Sequence, residues 1–227
     1  MTLAPFPWFP FLPLRGARVL KHRASWLLPF CAIAGAHVAL MLLAERQTAD
    51  AVLARLPAAG RAEAAAMMAE ESLALAFLEP ARLLAGWAAF AGILWIAVRA
   101  LKPPDPVPFL SLFALETHAE TISAFAAGAS LLASLITGDP ATALAPGAFA
   151  GAALLAPAGL SFPAASLLDA LNIFTLWYVA SLAAGMRVLC GFTMRLSVLI
   201  AACAWILSVL FDLGILTLLV TTLHLRV

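Results

Sequence analysis

Residues 26–44 read WLLPFCAIAGAHVALMLLA. The stretch contains no Asp, Glu, Lys or Arg, and its titratable side chains are Cys31 and His37. At about 1.5 Å per helical residue it is long enough to cross a hydrocarbon core of about 30 Å. Arg15, Arg18, Lys21 and Arg23 precede it, and Glu45 and Arg46 end it.

The same pattern recurs outward from this run. A second apolar stretch covers residues 82–99, closed by Arg99 and Lys102. A third covers 117–137 and stops at Gly138-Asp139-Pro140. A fourth covers 169–189, and a fifth covers 196–223, interrupted by Asp212. Over all 227 residues, 64% are apolar and 11% charged. Soluble domains run near about 45–50% and about 25%, so this chain lacks the polar residues to cover a soluble surface. A soluble enzyme, a disordered tail and a nucleic-acid binder are excluded on that ground, and the formal charge of +1 offers no basic field for nucleic acid. The expected fold is an all-α integral membrane protein, a bundle of five transmembrane helices.

Charge placement sets the expected orientation. With five spans and a cytoplasmic N-terminus, the Lys/Arg positions 15, 18, 21, 23, 99, 102, 187 and 195 fall inside, and 46, 55, 61, 82 and 226 fall outside. That is the positive-inside pattern. Residues 138–165 are also apolar, but Pro146, Pro157 and Pro163 interrupt them. Interior prolines remove helix hydrogen bonds, so this segment reads as a loop or re-entrant element. A sixth span there would put Arg187 and Arg195 on the wrong side.

Residues 26–227 thus form a single membrane domain, preceded by a cytoplasmic segment, 1–25. In that segment the aromatic and proline-rich part comes before the basic cluster, the reverse of a secretory signal. It is expected at the cytoplasmic interface. The polar stretch 45–80 places Met67, Met68, Glu71, Leu75 and Leu78 at helical spacing, which predicts an extracytoplasmic amphipathic helix between spans 1 and 2.

Ionisable groups at membrane depth are costly and become functional candidates. His37 lies about 16 Å beyond Trp26, near mid-bilayer. Asp212 lies about 24 Å beyond Leu196, towards the outer side. Glu116, His118 and Glu120 stand at the expected entry to the third span. Glu116 and Glu120, four apart, share a helical face, and His118 points away. That is a poor metal set, and no H-E-x-x-H occurs. Neither G-x-S-x-G nor a phosphate-binding glycine loop is present. The three cysteines, Cys31, Cys190 and Cys203, form no C-x-x-C pair and read as small apolar side chains. No catalytic residue, metal or cofactor is expected.

Residues 167–178 read LLDALNIFTLWY. They resemble a motif of the Yip family, five-span proteins named for interaction with Rab-type GTPases. In bacterial members an Asp, a Phe two on and a Trp three further open the fourth span, and a glycine-hydrophobe pair closes it. Phe174, Trp177 and Gly185-Met186 match. Asn172 stands where the Asp is expected, with Asp169 one turn earlier. The resemblance implies a non-enzymatic accessory or scaffold protein. Its partners would be the lipid bilayer and a membrane-protein partner such as an efflux or lipid-transport complex, or a second copy of itself. The Ala-rich composition points to a bacterial inner membrane. The competing expectation is a small transporter or intramembrane enzyme using His37, Asp212, Glu116 and Glu120. Convergence of three of these on one water-filled cavity distinguishes the two.

Overall fold

The computed structural model describes residues 9–104, 106–138 and 172–222, with side chains described to Phe211 apart from Ala51. Among them the chain is helical throughout: α1 (Pro13–His22), α2 (Leu27–Arg55), α3 (Ala58–Ala100), α4 (Phe109–Ala119), α5 (Thr121–Thr137), α6 (Ile173–Cys190) and α7 (Met194–Thr222). Five of these stretches are long and apolar enough to cross a membrane, with α4 and α5 together counting as one. Their outer faces carry Leu28, Ile96, Leu132, Ile136, Leu199 and Phe211, all exposed. So much apolar surface is stable only against lipid.

The polar stretch 45–80 departs from expectation. It forms no helix of its own, but instead the end of α2 and the first half of α3. The 43 residues of α3 span about 64 Å, so this helical hairpin projects beyond a bilayer core of about 30 Å. Ala, Glu and Met carry the helix through the polar region without a break. The turn at Leu56-Pro57 is closed by Arg61, whose Nε donates to the Leu56 carbonyl at 2.8 Å. A cation there also complements the C-terminal end of α2.

The third span also differs. Its helix starts at Phe109, not near residue 117. The prolines at 103, 104, 106 and 108 hold the approach out of helix, and Pro108 is extended at the N-cap. Every residue from Ser111 to Ala119 is buried, because α4 packs against α1, α2, α3, α5 and α6 at once. A helix buried on all sides is a core element, and α4 is the axis of the bundle.

The N-terminal segment does not merely lie on the interface. Phe9, Ala17 and Leu20 are fully buried in the main core, and α1 lies along α6. Phe9 crosses α1 at Gly16, where a Cβ would come within 2.5 Å of the ring. The expected loop or re-entrant segment 138–165 lies outside the described residues, apart from Gly138.

Candidate functional site

The site lies beside the junction of α4 and α5 in the third span. Thr117 Oγ1 donates to the Phe113 carbonyl one turn back, 2.8 Å, a bond that competes with the helix ladder and bends helices. Glu120 joins α4 to α5 in helical conformation, its N–H bonded to the Glu116 carbonyl and its own carbonyl accepting from the Ala124 N–H, so the two run on as one span.

A cavity of about 750 Å³ lies beside that junction. His37 comes to it from α2, Arg82 and Phe90 from α3, and Glu116 and Glu120 from the third span. Asn172, Thr175 and Tyr178 come from α6, and Trp205 and Ser208 from α7. Trp26 packs against Phe113 and Gln47 accepts from Ser134, so α2 runs alongside α4 and α5 with His37 about one turn beyond the level of Glu120.

Tyr178 Oη donates to Glu116 Oε1 at 2.6 Å. Glu116 is 1% exposed and Tyr178 7%, and Phe90 meets the Tyr178 ring edge-on at 6.2 Å. The half-buried Glu120 carboxyl lies within hydrogen-bond reach of the Glu116 carboxyl and of the Ser123 hydroxyl, and acts electrostatically on Tyr178. Arg82, 70% exposed, forms a two-pronged ion pair with Glu79, both N–O distances being 2.6 Å. The charges of Glu79 and Arg82 both reach His37, whose buried Nε2 makes no hydrogen bond among the described residues. The arrangement presents two adjoining carboxyl groups, Glu116 and Glu120, and an imidazole nitrogen to a cavity walled by aromatic rings.

His37, Glu116 and Glu120 are thus brought together. His118 faces away from the cavity, against the Phe9 ring at 5.6 Å. Its Nδ1 lies 2.7 Å from the Ala114 carbonyl, which can only accept, so Nδ1 carries the hydrogen. Asp169 and the side chain of Asp212 lie outside the described residues. Asn172 caps α6, its Oδ1 accepting from the Thr175 N–H at 3.0 Å, a role asparagine fills as well as aspartate. Phe174 lines the cavity. Trp177 stacks on Phe125 and donates from Nε1 to the Pro10 carbonyl at 2.9 Å, tying the N-terminal segment to α6. At Gly185 a Cβ would collide with Leu115 Cδ1, so the glycine lets α6 close on α4.

Tyr178, Arg82 and the aromatic walls escaped the reading of the sequence as site residues. An aromatic at a span entrance and a cation at a span boundary usually mark the interface. The one available signal was the prolines ending at 108, followed by the apolar run 109–115, which marks an earlier helix start. No group of three or more His, Cys, Asp or Glu among the described residues is placed to hold a metal ion.

No family model, curated protein or solved structure matches this chain. The likeness of residues 167–178 and Gly185 to the Yip family therefore rests on those residues alone.

Proposed function

We propose that this chain is a carrier for a small polar solute, binding it inside the membrane beside the junction of α4 and α5. The observation that carries this reading is the meeting of His37, Glu116 and Glu120, with Tyr178, on one cavity. Such residues are expensive at membrane depth, and grouping them is the usual mark of a substrate or ion pathway. A volume of about 750 Å³ suits a solute of ordinary metabolite or drug size. The accessory or scaffold role, in a bacterial inner membrane, is what the Yip resemblance and the Ala-rich composition imply; the polar groups that line one cavity favour the carrier.

We place the N-terminus in the cytoplasm. Supporting this, Lys21 lies near Cys190, and Pro104 sits against Gly191, so the basic stretches around residues 15–23, 99–102 and 187–195 gather at one end of the bundle. The cavity wall formed by Arg82, Asn172 and Ser208 then lies towards the extracytoplasmic side.

The test is thiol labelling in lipid nanodiscs, after Cys31, Cys190 and Cys203 are replaced by alanine. Ser208→Cys reacts with a small, neutral, water-soluble methanethiosulfonate, and Leu132→Cys on the lipid face does not. Equal inertness of the two positions overturns the reading.

A further inference from the structure

Resting on that reading, we infer that the solute is an alkyl- or arylammonium ion, held by Glu116 and Glu120 among aromatic side chains. Four observations lead to this class. First, Glu116 is almost fully buried, lines the cavity, and has one oxygen held by the Tyr178 hydroxyl. Second, the Glu120 carboxyl lies within hydrogen-bond reach of it, so the binding point has two adjoining carboxyl groups, a concentration of acceptor oxygens that suits a cationic N–H donor. Third, the cationic lining residue among those described, Arg82, is already gripped on two nitrogens by Glu79, which an anionic solute would have to displace. Fourth, Phe90, Phe174, Tyr178 and Trp205 line the same volume. Aromatic rings accept a cation together with its apolar substituent, whereas a small hydrated inorganic ion gains little from such walls. A charged group recognised out of water is also discriminated strongly from its neutral analogue, because the site's own polar atoms are otherwise left unpaired.

The experiment is calorimetric titration of the full chain in nanodiscs with three probes of similar shape: phenethylammonium, 2-phenylethanol and 3-phenylpropionate. Phenethylammonium is expected to bind at least about tenfold more tightly than the alcohol, by the discrimination that a built polar site exerts, and the carboxylate not at all. Glu116→Gln, which keeps an oxygen for Tyr178, is expected to weaken phenethylammonium binding about tenfold, so that amine and alcohol bind alike. Glu120→Gln, at a half-buried position, repeats the test with less risk to folding. Equal binding of amine and alcohol, or tighter binding of the carboxylate, overturns the ammonium assignment and leaves the carrier reading standing. Binding of none of the three, with Ser208→Cys still labelled, overturns the assignment too. Loss of both labelling and binding removes the carrier reading itself.

Discussion

Tyr178 Oη and Glu116 Oε1 are 2.6 Å apart, joining α6 to the buried axis helix α4 across 62 residues of sequence. Removing the donor alone leaves a buried acceptor unpaired, at a cost of about 1–3 kcal/mol. Tyr178→Phe is therefore expected to lower the unfolding temperature of the detergent-solubilised protein. Glu116→Gln, still an acceptor, is expected to lower it less. The double variant Tyr178→Phe/Glu116→Leu is expected to lie above Tyr178→Phe alone. A double variant as unstable as the sum of the two singles contradicts the bond's assigned role.

Close packing at Gly185 gives a second prediction. Gly185→Ala drives a methyl group into Leu115, and overpacking a filled core costs about 1–3 kcal/mol. Adding Leu115→Ala opens the space again, so the pair is expected to recover part of the stability lost by Gly185→Ala. Thermal unfolding of the three variants decides it, and a strictly additive loss counts against the contact.

At the start of α6, Asn172→Ala removes the cap on the Thr175 N–H and is expected to cost about 0.5–2 kcal/mol. Asn172→Asp keeps an acceptor and is expected to cost less than Asn172→Ala. This comparison separates a capping role from one in solute binding. If Asn172→Asp unfolds as early as Asn172→Ala, the cap is not what the residue contributes.

Trp177 holds the N-terminal segment by one hydrogen bond to Pro10 and by its ring contacts with Phe11 and Phe125. Trp177→Phe keeps a ring for stacking and deletes the N–H. Trypsin is then expected to cut after Arg15 or Arg18, both exposed, several times faster than in the wild type. Local opening of a segment with a weakened anchor exposes it to proteolysis. Unchanged cleavage kinetics place the anchor elsewhere.

Much of the bundle was legible in local pattern. Apolar runs long enough for a bilayer marked the helices around His37, Trp87, Ser130, Leu182 and Ile200, because the bilayer imposes one length on all of them. The axis helix was harder. Glu116, His118 and Glu120 within five residues resemble a water-facing entrance, yet Tyr178, Ala114 and Phe9 satisfy or cover them within the bundle. Two of those partners are distant in sequence, and no local periodicity encodes such pairings. The start of the third span, at Phe109 rather than near 117, also hid the site, since it carries Glu120 further into the bundle, to within about one turn of His37.

The claim that a water-accessible cavity lies against Glu116 and Tyr178 is tested most directly on the unmodified chain, by radiolytic hydroxyl-radical footprinting in nanodiscs. Phe90 and Tyr178 line the cavity, and Phe113 is equally buried but does not. Water in the cavity generates radicals where it sits, so oxidation of Phe90 and Tyr178 is predicted to exceed that of Phe113 severalfold. Oxidation of all three at the same low rate would mean that the cavity is dry and the carrier account wrong.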